Sequence, residues 1–252
     1  GFVRAPLLRG LNAPQRAARK ARVIAIGSAG SYTGCTMLSM NLAMELSILE
    51  KSTLLIEGNY RAPSIAAYLA MRNINSDSEW KSIAPHLSLA EIDQEHAGTV
   101  DEFMDRAAEV FEFIIIDLGS ISGLSNRLID RRWTSTMTTW CCDQADELMI
   151  VSRADQLGEH RLSQVADLLQ HTSVRASLSF VLNMKSPGKR GESEEAKFLS
   201  STTAIKPIRI RSITKDSRAI VAAEDEHATL VEINVRSSMR KSIADLAGEL
   251  KS

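Results

Sequence analysis

The stretch from Arg22 to Leu49 limits the possible folds more than any other part of the chain. A short apolar run, Val23 to Ile26, gives way to a loop containing Gly27, Gly30 and Gly34. From Thr36 to Leu49, Met37, Met40, Leu42, Ala43, Leu46 and Leu49 then recur at helical spacing. Strand, glycine loop and helix form the opening unit, and the alternation continues. Strands are expected at Thr53 to Ile56, near His86 to Leu89, at Glu112 to Asp117, Glu147 to Val151, Ala176 to Leu182 and Pro207 to Ile213. Helices are expected around Pro63 to Ala70, Thr99 to Val110, across most of Ser122 to Asp143, and at Leu157 to His171, Glu192 to Ser200, Ser217 to Glu226 and Arg236 to Leu250. Residues 72 to 98 read as a long connection, and Ser186 to Gly191 as a breaker-rich loop. Alternating elements imply an α/β fold, a mostly parallel twisted sheet with helices on both faces. The uninterrupted apolar run Phe113 to Ile116 belongs at its centre.

The chain has 252 residues, 44% hydrophobic and 24% charged, which suits one large core. A formal net charge of −1 argues against a surface built throughout to neutralise nucleic acid. Residues 1–21 read as a basic linker or arm with no acid, interrupted by Pro6 and Pro14, and residues 22–252 as the α/β domain. Such an arm suits a solvated linker, DNA, acidic lipid or a partner. No apolar run approaches the roughly 20 residues of a membrane span, and no secretory signal is read at the start. Cys35 and the adjacent Cys141 and Cys142 form neither a disulfide framework nor a zinc or redox spacing, which suits a reducing cytoplasm.

A glycine loop opening a helix presents backbone N–H groups and a positive dipole end to an anion. In a working phosphate loop of this type the ending is Gly-Lys-Ser/Thr: the lysine meets the β and γ phosphates and the hydroxyl holds magnesium. Here the ending is Gly34-Cys35-Thr36, so the hydroxyl is present and the ammonium is absent. Cys35 at a helix start has two readings, a thiol activated by the dipole or a drifted, inert site, and the lack of a neighbouring histidine favours the second. The five histidines show no metal-ligand spacing.

Taken together, Val23-Ile24-Ala25-Ile26, the glycine loop, Gly34-Cys35-Thr36 and Asn41-Leu42-Ala43 resemble the MinD/ParA group of P-loop ATPases. The resemblance runs over nearly the whole chain after Arg22. Placing Asn41 on the family's asparagine puts Gly30 at its signature lysine and Cys35 at its P-loop lysine, so both cations are replaced. Leu54-Leu55-Ile56-Glu57-Gly58-Asn59 resembles the strand end carrying the family's two aspartates, with Glu57 and Asn59 in their places. Asn59 has no charge and cannot act as a general base. Ile114-Ile115-Ile116-Asp117 matches the strand whose aspartate interacts with magnesium, Asn183 falls at an adenine-facing asparagine, and Ile213 to Asp216 resembles a turn near the base. The resemblance thus implies a cofactor site of Gly30, Gly34, Cys35, Thr36, Met37, Asp117, Asn183 and Asp216, with Thr36 and Asp117 holding magnesium if nucleotide binds. No cofactor is required by this reading, and ATP or ADP with magnesium is the one it allows.

Within that group the degenerate loop, Asp146 to Gly158 and the basic start resemble the CpaE/TadZ branch, which positions pilus or secretion machinery and usually carries an upstream receiver-like domain. The implied function is a localisation or scaffold protein that hydrolyses ATP very weakly or not at all. It would work in the cytoplasm, at the cell pole or the inner membrane face, through protein partners and as a homodimer. The alternative is a slow ATPase acting in septum positioning or in chromosome or plasmid partition; a DNA-binding partition protein using the basic arm is a third reading. In the family the signature lysine reaches the partner's nucleotide, so its replacement bears on any nucleotide-bridged dimer. Trp133 and Trp140, with Arg131 and Arg132, read either as core or as an interface. Met239, Ile243, Leu246 and Leu250 make the last helix amphipathic, and sparse Lys/Arg after Lys241 favours docking on the sheet over a lipid surface.

Overall fold

The computed structural model describes residues 21–72, 74, 79–92, 99–130 and 132–251, with only the backbone of Arg127. The basic arm lies outside the described residues except for Ala21, which is buried. In chain order the elements are β1 (Arg22–Ser28), α1 (Cys35–Ile48), β2 (Thr53–Glu57), α2 (Ile65–Tyr68), β3 (Lys81–Ala84), β4 (Leu87–Glu91), α3 (Val100–Val110) and β5 (Phe113–Ser120). There follow α4 (Leu124–Ile129), α5 (Thr136–Gln144), β6 (Glu147–Arg153), α6 (Gln156–His171), β7 (Ser177–Lys185), α7 (Gly188–Thr202), β8 (Arg209–Thr214), α8 (Ser217–Asp225), α9 (Leu230–Ile233) and α10 (Ser238–Lys251).

The eight strands form one sheet in the order β3-β4-β2-β5-β1-β6-β7-β8. All neighbouring pairs are parallel except β3 with β4, so the edge is antiparallel and the rest is the expected parallel sheet. Alternate residues of each strand face opposite sides. Val23 and Ala25, with Ile114 and Ile116, join one core with Met104 of α3, Trp140 of α5, Leu162 of α6 and Phe198 of α7. Ile24, Ile26 and Ile115 join the other with Leu38 and Leu42 of α1 and Met239 and Ile243 of α10. Met239, Ile243, Leu246 and Leu250 are all buried, so the apolar stripe of the last helix is used inside the molecule. A bidentate ion pair reinforces it: the Arg240 guanidinium donates to both oxygens of the buried Glu45 at 2.5 and 2.8 Å. Among the described residues no helix is long and apolar enough to cross a membrane.

Four local readings of the sequence are corrected. The connection after residue 72 holds a hairpin, β3 and β4, with His86 in the left-handed region at the turn (φ 60°). Ser122 to Asp143 is broken between α4 and α5. Asp130 there accepts from the Arg132 backbone N–H and the Ser135 hydroxyl, and Arg132 is extended, which ends the helical run. Ser186 to Gly191 begins a helix instead of a loop. Pro187, with its fixed φ, serves as the N-cap of α7, and a side chain on Gly191 would clash with the Ser186 carbonyl. The short α9 was not expected; Thr229 and Glu232 close a capping box at its start.

Candidate functional site

The end of β1, the loop and the start of α1 lie at the carboxyl edge of the sheet, flanked by the ends of β5 and β6, where ligands bind in open α/β sheets. Gly34 is the N-cap of α1 in the left-handed region (φ 79°), and no side chain caps the helix. The first-turn N–H groups therefore have no intrahelical partner and face the anion position. Gly34 must be glycine for a second reason: a Cβ would stand 2.5 Å from the Asn183 amide nitrogen. Inside the loop the Ser28 hydroxyl accepts from the Gly30 N–H at 3.2 Å and from the Thr33 hydroxyl at 2.8 Å, which braces the turn.

Behind the loop are three buried acidic groups in contact or close by. The Cys35 thiol donates to Asp117 Oδ1 at 3.2 Å and lies 3.4 Å from the Ile26 carbonyl. Burial first, then the Asp117 charge, pushes the thiol well above the ordinary cysteine range. The dipole effect that would activate it is outweighed. Burial likewise pushes the Asp117 carboxyl up, opposed by Thr36, the Gly119 amide and Cys35. Asp117 Oδ2 is buried without a hydrogen-bond partner among the described residues. Glu57, which pairs with Asp117 across β2 and β5, is pushed up to about 7 by burial and by the Asp117 charge. Its carboxylate accepts three backbone N–H bonds, from Asn59 at 3.0 Å, Ser64 at 2.7 Å and Ile65 at 3.0 Å. This clamps the segment between β2 and α2.

The other candidate residues are also engaged. The Asn59 amide donates to the Ala62 carbonyl at 2.9 Å and lies so close to Gly119 (φ 58°) that a Cβ there would clash with it. Thr36 Oγ1 and Ser64 Oγ are 3.2 Å apart. The buried Asn183 donates from Nδ2 to the Thr33 carbonyl at 2.8 Å and accepts the Met184 N–H at its Oδ1, so it braces the loop from below. Asp216 caps α8 by accepting the Ala219 N–H at 3.1 Å. Met37 is buried, with its sulfur 2.9 Å from the Asn41 amide; Asn41 also accepts the Leu230 N–H at 2.7 Å.

The loop, Thr36, Asp117 and Asn183 are thus brought together, whereas Glu57 and Asn59 are turned to local backbone. Trp140 is buried and donates from Nε1 to Asp101 at 2.8 Å. Trp133 is half-buried and stacks on Tyr60 at 5.3 Å between ring centroids; Arg131 lies outside the described residues. Cys141 and Cys142 are buried and free, the Cys142 thiol pushed up by burial to about 12. Two residues that sequence reasoning missed border the loop. Arg153 at the end of β6 and Arg161 of α6 line a cavity beside Gly30. The only sequence trace of this is the bare Gly30 itself, which leaves room for the Arg161 stem.

The donor chemistry at the cradle suits a phosphate with magnesium in part. Thr36 and the partnerless Asp117 Oδ2 are hard oxygen ligands of the kind magnesium takes, and uncapped N–H groups take phosphate. No lysine meets the phosphates from position 30 or 35.

No protein-family model matches the chain, and no curated protein sequence does. Solved structures do. A ParA family ATPase from Chlorobium tepidum is 20% identical with a TM-score of 0.62, over 91% of this chain and 98% of that one. A Cyanothece McdA variant in complex with ATP is 17% identical with a TM-score of 0.69, over 92% and 97%. MinD in a MinC:MinD cell division complex from Aquifex aeolicus is 18% identical with a TM-score of 0.67, over 92% and 96%. At these identities the likeness is one of fold, and it covers nearly the whole of each chain.

Proposed function

We propose that this chain, which has the MinD/ParA P-loop fold, is a positioning or scaffold factor that hydrolyses ATP very weakly or not at all. One observation carries the reading: a buried neutral thiol, Cys35, stands against Asp117 at the place the resemblance gives to the phosphate-binding lysine. Groups that neutralise developing phosphoryl charge are commonly worth roughly 100-fold to 1000-fold each in rate. Here two are replaced, and Glu57 and Asn59, at the places of the two aspartates, are committed to holding their own loop. The protein acts through partners, as MinD does with MinC in the complex named above, and as a homodimer. Pilus or secretion machinery is the partner class that the CpaE/TadZ resemblance points to, with recruitment to the pole or inner membrane face.

Phosphate release from ATP with magnesium tests this, alongside a calorimetric ATP titration. Release at background is expected, and turnover that disappears in Asp117→Ala would overturn the reading. That outcome would favour the second one, a slow positioning or partition ATPase, which the partnerless Asp117 Oδ2 and the uncapped start of α1 support. The scaffold role itself predicts a dimer in sedimentation and recovery of a pilus or secretion component in pull-down; a monomer that recovers neither is incompatible with it.

A further inference from the structure

Gly30 does more than leave a charge out. A Cβ at this position would stand 3.3 Å from Cγ and 3.5 Å from Cβ of Arg161, a tight fit, so the Arg161 stem lies directly against the loop backbone. Beside this contact a cavity of about 230 Å³ opens between the outer face of the loop and the start of α6, bordered by Gly30, Ser31, Tyr32, Arg153, Leu157 and Arg161. Tyr32, in the left-handed region (φ 57°) and 87% exposed, stands at its lip.

The charges there do not cancel. Arg153 is paired with Asp155, whose other oxygen caps α6 by accepting the Gly158 N–H at 2.8 Å. Arg161 is exposed and enters no ion pair among the described residues, so the cavity carries one uncompensated guanidinium. The larger cleft nearby, about 550 Å³ between α6 and α7, is balanced by contrast: Arg153, Arg190 and Lys197 face Asp155, Glu159 and Glu194. Size narrows the ligand further. Pockets for whole drug-sized or nucleotide-sized molecules run from roughly 300 to 1,000 Å³, so this one suits a single small group. A planar guanidinium selects an oxyanion and binds phosphate with paired hydrogen bonds.

We propose that this cavity is a phosphate-group site separate from the cradle in front of α1, with Arg161 as its main cation. The group arrives as free phosphate or as the terminal phosphate of a nucleotide. This does not rest on the hydrolysis reading, since a site on the loop's outer face needs neither Cys35 nor Asp117.

The test is calorimetric titration of the whole chain with inorganic phosphate at low ionic strength, then with ATP without magnesium. Saturable phosphate binding is expected, weakened about 10-fold or more in Arg161→Ala, as for loss of a charge-assisted hydrogen bond. Arg161→Lys should retain part of it, and Lys197→Ala, in the balanced cleft, should leave it unchanged. Competition between ATP and phosphate would show that both sources share the pocket; phosphate binding indifferent to ATP would assign it to the free ion. Melting temperatures check that the exposed Arg161 variants are folded. Absence of saturable phosphate binding, binding indifferent to Arg161→Ala, or binding weakened as much by Lys197→Ala as by Arg161→Ala would each overturn the proposal. None of these would by itself alter phosphate release from ATP, so the two readings fail separately.

Discussion

Cys35 puts a single uncharged side chain at the start of α1, behind the glycine loop. An ammonium there would offer charge to a phosphate, whereas the thiol is neutral, buried and turned toward a carboxylate. Its neighbours have settled around it, so Cys35→Lys is expected to leave phosphate release at background, since Gly30, Glu57 and Asn59 are unchanged. With all three cysteines buried, Ellman's reagent should find no fast-reacting thiol in the native protein and three after unfolding. Glu57 gives a prediction with a sign. Its folded value, about 7, lies above the ordinary 4.5, so the native state holds the extra proton between these two pH values. Stability should therefore fall as pH rises from about 4.5 to about 7, by at most about 3 kcal/mol from this group. Thermal melts across that range should show the decline, and Glu57→Gln should flatten it; an unchanged profile in the variant would assign the dependence elsewhere. The strand, glycine loop and helix from Arg22 to Ile48, and the place of Asp117 on the central β5, were legible in the sequence because local pattern and fold coincide there. The Glu57 clamp was not, because which N–H groups a carboxylate accepts depends on the path of residues 58–65.

At the level of elements, the clearest signals were those set by burial. Phe113 to Ile116 reads as a central strand because both of its faces are covered, and it is one. Misreadings fell where one residue type serves two ends: Pro187 and Gly188, apparent breakers, begin α7. Ion pairs between distant elements leave no trace in sequence. Glu147 on β6, 1% exposed at its side chain, bridges Arg22 of β1 at 3.3 Å and Arg209 of β8 at 2.5 Å. Removing it takes a carboxylate from two partly buried guanidinium groups, although Arg209 keeps Glu249 at 3.5 Å and Arg22 keeps the Leu250 carbonyl at 2.6 Å. Glu147→Ala should cost about 2 to 3 kcal/mol in denaturant unfolding, the range for losing hydrogen bonds to a charged group. A loss below about 1 kcal/mol would mean that water or Glu249 takes its place.

Across the whole molecule, one sheet divides two cores, and the last helix closes the second of them. Ending the chain after Ser237 would expose the apolar face of α1 and take from Glu45 its partner Arg240. Loss of the cooperative thermal transition is expected, and retention of a native melt would show α10 to be dispensable. For the same reason the intact protein should not cosediment with anionic vesicles by way of α10, because its apolar stripe is already occupied. The segment between β2 and α2 is tied to Glu57 by three main-chain bonds, and under the proposed reading, in which ATP turnover is at background, the protein has no built-in clock. Gradients and oscillations need a steady supply of chemical energy. A factor of this kind would instead settle wherever its binding equilibria are most favourable and remain there, marking an address without timing it.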